Sequence, residues 1–217
     1  GAATHRSHEE IAESSRQFAK CLRRYGLERG ERVAVFLPQS MELPMSHVAS
    51  FRSGLILIPL FSLFGEDALE FRLSNSQAKA IITDEAGWEK LAKISDRLPE
   101  LKNVYVIGDR ANPVTKSFWA SLKGASPDFA TVDTSADDPC LIIYTSGTTG
   151  NPKGALHAHR VVLGHLPNVE MCHDFIPNPG DLMWTPADWA WIGGLLIALF
   201  AFWYTRVALS GVPARNI

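Results

Sequence analysis

The chain has 217 residues, 46% of them hydrophobic and 20% charged, with a net charge of −2. That is the composition of an ordinary globular protein of one large or two small domains, with no basic excess to attract nucleic acid and no run of like charges. Cys21, Cys140 and Cys172 are few, odd in number and far apart, which argues against a disulfide framework or a zinc knuckle and points to a reducing, cytoplasmic setting. The start, Gly1-Ala2-Ala3-Thr4-His5, lacks the charged-then-apolar pattern of a signal peptide and reads as a processing boundary.

Ser7-His8-Glu9-Glu10 has the spacing of a capping box, and Ile11, Phe18, Cys21, Leu22 and Tyr25 then fall on one helical face up to Gly26. Residues 32–37 read as a strand stopped by Pro38, about 41–52 as a helix, and 55–60 as the next buried strand. A helix over 66–76, a strand over 79–83, a helix over 85–98 and a strand over 103–107 follow. Strands that alternate with helices of ten or more residues imply right-handed crossovers and a mostly parallel sheet. Their continuous apolar runs suit strands covered on both faces, so the fold class is α/β.

Between Gly108 and Pro139 the pattern weakens into turn signals, read as a connection between two sub-sheets. The expected division is a first α/β sub-domain over 1–135 and the start of a second over 136–217. In the second, 140–144 reads as a buried strand, 154–157 as extended, 160–170 as helical and 181–184 as a short strand, with Asp188 placed to cap a final apolar helix. From Trp189 to Thr205 no residue is charged. That run is shorter than the roughly 20 residues of a membrane span, so a buried helix is expected and no membrane span.

Residues 144–154 are the most informative stretch. The strand ends in Tyr144, Thr145, Ser146, Gly147, Thr148, Thr149 and Gly150, then Asn151, Pro152, Lys153 and Gly154. Glycines let backbone N–H groups approach a ligand, the hydroxyls add donors, and the lysine adds a mobile cation with no carboxylate nearby. The set suits a polyphosphate. It is not the Walker P-loop, which needs Gly-Lys-Ser/Thr where this chain has Pro152, Lys153 and Gly154.

The same stretch resembles the signature loop of the adenylate-forming superfamily, which includes acyl-CoA synthetases, luciferases and peptide-synthetase adenylation domains. Residues 29–35 and 51–60 resemble its early motifs. Asp181 to Leu195 resembles the acyl-binding segment of acetyl- and medium-chain acyl-CoA synthetases. The resemblance covers roughly residues 5–212 and implies part of that family's large N-terminal domain. It implies an ATP-dependent ligase that makes an acyl-adenylate and pyrophosphate from a carboxylic acid, then acyl-CoA and AMP. It implies ATP and CoA as co-substrates and Mg2+ across the phosphates. Thr145, Ser146, Gly147, Thr148, Thr149, Gly150 and Lys153 would hold the polyphosphate. Trp189, Trp191, Ile192, Gly193 and Gly194 would line the acid's pocket, the glycines leaving room for something larger than acetate; the alternative for Trp189 and Trp191 is plain core packing. His157, His159, His165 and His173 lack the spacing of a zinc site.

Several family segments have no counterpart: Tyr-Gly-x-Thr-Glu for adenine and magnesium, Thr-Gly-Asp for ribose, the later hinge, and the small C-terminal domain with its lysine. The polypeptide is therefore expected to be an incomplete portion, inactive alone. Two alternatives stand beside it: a non-catalytic remnant that binds polyphosphate or a partner, and a protein anchored to a membrane by 189–205. A strand edge and the apolar C-terminal helix favour self-association.

Overall fold

The computed structural model describes residues 4–108, 113–145 and 150–212. Helix α1 (His8–Arg24) begins as its spacing predicts: Glu10 N–H donates to Ser7 Oγ at 3.1 Å, and Ser7 N–H donates to Glu10 Oε2 at 2.7 Å. There follow β1 (Arg32–Phe36), α2 (Glu42–Arg52), β2 (Ile56–Pro59), α3 (Glu66–Ser76), β3 (Ala80–Asp84), α4 (Glu85–Leu91) and β4 (Asn103–Ile107). The helix expected over 85–98 stops at Leu91, and only a short 3-10 turn, Ser95–Arg97, follows. The weakly patterned connection holds a two-residue strand β5 (Lys116–Ser117) and helix α5 (Phe118–Lys123).

Beyond it lie β6 (Pro139–Thr145), β7 (Lys153–Ala158), α6 (Arg160–Cys172), β8 (Leu182–Trp184), a π-helix Gly193–Phe200 running into α7 (Ala201–Tyr204), and β9 (Ala208–Ser210). The strands form a seven-stranded sheet in the order β5-β4-β3-β1-β2-β6-β7, and a separate parallel pair, β8 and β9. All neighbours in the large sheet are parallel except β6 and β7. The strand expected to open a second sheet thus joins the first, beside β2. Its apolar side chains find a cover on both faces there, which a run of 140–144 cannot announce by itself.

Alternation along the strands divides the core in two. Val33, Val35, Leu57, Ile82, Leu141 and Ile143 pack with Phe18 and Leu22 of α1, Met45 of α2, Phe118 of α5, and Leu195 and Leu199 of the π-helix. Ala34, Phe36, Ile58, Ile81 and Tyr144 face the other way, onto Leu69 and Leu73 of α3 and Leu91 of α4. Helices therefore cover both faces, as the apolar strand runs require. Among the described residues no helix is long and apolar enough to cross a membrane. Cys21 and Cys140 are buried and Cys172 exposed, all three as free thiols; burial pushes the Cys140 thiol up to about 12, so it is chemically inert.

Candidate functional site

In open parallel sheets ligands collect outside the carboxyl ends of the strands. At that end of β2 and β6 lies a cleft lined by Pro59, Phe61, Phe64, Tyr144, Ala190 and Trp191. Phe61 and Phe64 follow β2 and meet edge to face, ring centroids 5.7 Å apart. Trp191 stands opposite, 5.5 Å from the Phe61 ring. Two supports lie behind this wall. The Tyr144 hydroxyl donates to Asn75 Oδ1 at 2.7 Å. The Arg72 guanidinium sits 4.0 Å from the centre of the Phe64 ring and 5.6 Å from that of Tyr144. Cation–π contact of this kind fixes ring planes.

The phosphate-loop residues divide by what is described. Ser146, Gly147, Thr148 and Thr149 lie outside the described residues. Thr145 and Lys153 are direct partners in the antiparallel β6–β7 ladder, and both are exposed. The two ends of the loop are therefore held side by side, a hydroxyl next to a cation. Gly150 has φ +94° with open space around it, a left-handed conformation that a side chain would strain. Gly154 lies so close to Ile142 and Tyr144 that a Cβ would sit 2.9 Å from Ile142 Cγ2. Any larger residue there would have to push aside the Ile142 side chain against which β7 packs.

The pocket residues also divide. Trp189 is buried in the main core against Gly211, where a Cβ would come within 2.8 Å of its ring. Trp191 and Ile192 are exposed and Gly193 is half-buried with nothing near its missing Cβ. Gly194 is buried, and a Cβ on it would lie 2.4 Å from the Asp188 carbonyl oxygen. Trp191, Ile192 and Gly193 thus face open space, whereas Trp189 and Gly194 hold the segment down.

Asp188 does not cap the final helix as expected. Its Oδ1 accepts from Ala190 N–H at 2.8 Å, closing a local turn, and its Oδ2 accepts from the Ser62 hydroxyl at 3.0 Å. The π-helix starts beyond it, preceded by Ile192 with no side-chain cap. Burial raises the Asp188 carboxyl above the ordinary carboxylate range, opposed by its hydrogen bonds to Ala190 and Ser62. Gln39, in the turn after β1, donates to the Thr185 and Ala187 carbonyls and accepts from Val212 N–H. Sequence reasoning passed over Gln39, Phe61, Ser62, Phe64 and Arg72. Only the aromatic spacing just past a strand's Pro59 could have drawn attention to two of them.

Of the four histidines between residues 157 and 173, His157 lies in β7, and His165 and His173 set Nδ1 within 2.8 and 2.9 Å of the backbone carbonyls of Val161 and Val169. His159 is edge-on to Phe51 at 5.8 Å, and burial lowers its basicity. Among the described residues no group of three or more His, Cys, Asp or Glu could hold a metal ion.

Residues 1–214 match the family described as AMP-binding enzyme. The acetyl-coenzyme A synthetase of Bacillus subtilis (strain 168) is 34% identical over 210 residues, which cover 93% of this chain and 36% of that protein. A mitochondrial acyl-coenzyme A synthetase, ACSM4 of Rattus norvegicus, is 33% identical over 200 residues, 91% of this chain and 34% of that one. The chain thus spans about a third of the length of the curated relatives it matches. Apo MatB from Rhodopseudomonas palustris superposes with a TM-score of 0.84 at 26% identity, covering 98% of this chain and 41% of its own. The anthranilate CoA ligase AuaEII, in complex with anthranoyl-AMP, gives 0.88 at 22% identity over 94% of this chain and 39% of its own, a likeness of fold.

Proposed function

The chain belongs to the AMP-binding enzyme family, and from that premise we propose that it carries the polyphosphate loop and part of the acid pocket of an ATP-dependent carboxylate–CoA ligase. In that reaction a carboxylate oxygen attacks the α-phosphorus of ATP and the bond to pyrophosphate breaks. CoA sulfur then attacks the acyl carbon and AMP leaves with the bonding pair. Relatives named acetyl- and acyl-coenzyme A synthetase support the reading. Because the chain spans a third of their length, the two-step reaction is proposed for a protein of that length. Binding of polyphosphate and of a carboxylic acid is proposed for these 217 residues, which alone are expected to form no thioester. A cytoplasmic location fits the three free thiols.

The observation that carries the reading is the pairing of Thr145 with Lys153 at the carboxyl end of β6. Donors fixed before the reaction, aimed where charge develops, stabilise a leaving pyrophosphate. Thr145, Ser146, Gly147, Thr148, Thr149 and Gly150 would offer hydroxyl and backbone donors, and Lys153 the cation. Trp191, Ile192 and Gly193 would wall the acid's chain, with Trp189 and Gly194 beneath them. Magnesium would be held mainly by the phosphates, since the described side chains offer it no cluster.

Titration calorimetry with pyrophosphate and with ATP tests the loop. Lys153→Ala is expected to weaken binding about tenfold, the worth of one charge-assisted hydrogen bond. Thermal stability should not move, because Lys153 is exposed. Equal binding by the variant would remove Lys153 from the site. Failure of the native chain to bind either ligand would remove the polyphosphate reading itself.

A further inference from the structure

The two ends of the phosphate loop stand on a hairpin that the sheet holds loosely. Among the described residues β6 meets β2 in register at one position, Leu57 with Leu141. Proline explains why the ladder stops there. Ile56 and Leu60 donate their N–H groups to Glu31 and Val35 on the β1 side, so the odd-numbered residues of β2 face β6, and Pro59 among them has no N–H to give. On its far side β7 is the edge of the described sheet. From Ile142 to Thr145, then, the strand partner of β6 is β7 alone. The last buried side chain before the loop is Tyr144. Its hydroxyl donates to Asn75 Oδ1 at 2.7 Å, and its ring meets that of Phe71 edge to face with centroids 6.5 Å apart, both partners lying on α3. Gly154, opposite Tyr144 in the ladder, packs on the same ring, where a Cβ would lie 3.3 Å from Tyr144 Cζ.

We propose that Asn75 and Tyr144 are positioning residues: the bond between them ties the overhanging end of the β6–β7 hairpin to α3, fixes where Thr145 and Lys153 stand, and so pre-organises the phosphate loop for a polyphosphate. The proposal rests on the polyphosphate reading above. A hairpin end that is free to swing must be ordered when the anion arrives, and that cost appears as lost affinity. Donors already in place bind without it. Ile143 is buried in the core, but apolar contact of that kind has no direction. A hydrogen bond has one, and the bond from Tyr144 to Asn75 is made one residue before the loop begins. The Arg72 guanidinium, 5.6 Å from the centre of the Tyr144 ring, backs it from the same helix. Asn75 and Tyr144 act through Thr145 and Lys153 and are not catalytic groups.

The test uses the 217-residue chain, titrated calorimetrically with pyrophosphate, together with amide hydrogen exchange read by NMR. Asn75→Ala leaves α3 intact, because Asn75 is exposed and alanine favours a helix. Tyr144→Phe keeps the ring and removes the hydroxyl. Each is expected to weaken pyrophosphate binding about threefold to fivefold, the worth of one neutral hydrogen bond. The double variant should lose no more than either single change, because both remove the same bond. Exchange should quicken at the amides of residues 153–155 and keep its native rate in β1 and β3. Native affinity in both single variants overturns the proposal and leaves the polyphosphate reading standing. Losses that add in the double variant also overturn it, as does exchange that quickens equally in β1 and β3, the mark of a general loss of stability. If the native chain binds no pyrophosphate while exchange at 153–155 still quickens in the variants, the polyphosphate reading fails and the positioning claim falls with it, the bond remaining an anchor of the hairpin only.

Discussion

The stretch from β7 to the C-terminus is richer in apolar side chains than the first hundred residues, yet it buries them less completely. β1, β2 and β3 are buried along nearly their whole length, whereas β7, β8 and β9 contain no fully buried residue. In the first region each strand is covered by helices on both faces. In the second, Leu156, Leu163, Met171, Leu182 and Trp184 stand in solvent, and the β8–β9 pair has one partner apiece in the described residues. A two-stranded sheet is marginal without further packing. The walls of the cleft come from both regions, a rigid base after β2 and a lighter segment after β8. Binding sites often combine the two, because a well-packed scaffold fixes position and a less stable element supplies room to close.

The sharpest way to break that contrast is to truncate one side chain in each region. Phe18 is fully buried and packs against Tyr105 and Phe118, ring centroids 5.1 and 4.7 Å away. Phe18→Ala is expected to cost about 3–5 kcal/mol in urea unfolding. Met171 is 70% exposed on α6, and Met171→Ala is expected to change stability by less than about 0.5 kcal/mol. Comparable losses would mean that α6 is as tightly packed as α1.

A second difference concerns acid. His47 on α2 is fully buried, packs edge-on to Phe200 at 5.8 Å, and neither of its ring nitrogens has a hydrogen-bond partner. Burial holds it down at about 3. In the unfolded chain the same ring takes up a proton near its ordinary value of about 6.5. Between those values the unfolded state binds more protons, so stability is fully present above the unfolded value and is lost as pH falls, by up to about 1.4 kcal/mol per pH unit. His47→Leu should flatten that slope in urea titrations run from pH 7 to pH 4. An unaltered slope would assign the acid sensitivity to other groups.

These regions also differ in how far their sequence announces them. Ser7 and Glu10 make a capping box because every contact lies within one turn. The strands at 32–36, 56–59, 80–84 and 103–107 are legible because burial on both faces leaves an unbroken apolar run. What joins the pieces is not local. That β6 lies beside β2 depends on the Leu57–Leu141 pairing, between residues far apart in the chain. In 193–200 almost every residue is apolar, so no period separates a π-helix from an α-helix. Trp189 and Trp191 look alike in the sequence; Gly211 packs against the first, whereas the second stays exposed. The chemistry of Thr145 and Lys153 singles them out in the sequence, whereas their pairing across β6 and β7, like the bond of Asp188 to Ser62, needs two elements to be seen together.

The finest comparison is between two adjacent glycines of the light region. Gly194 packs on the Asp188 carbonyl, and a methyl group there would meet backbone atoms that cannot rotate away. Gly194→Ala is therefore expected to cost about 1–3 kcal/mol and to push Trp191 out of line with Phe61. Gly193 has nothing within reach of an added Cβ. Gly193→Ala should be neutral or stabilise by up to about 1 kcal/mol, because the unfolded chain loses freedom and the helix loses none. On the acid-pocket proposal its effect should appear in ligand size instead: a methyl group at 193 would take up space proposed for the acid and shorten the longest acid accepted. Equal stability losses at the two positions would mean that the first turn of the π-helix is packed all round, and that Gly193 contributes to the fold and not to the pocket.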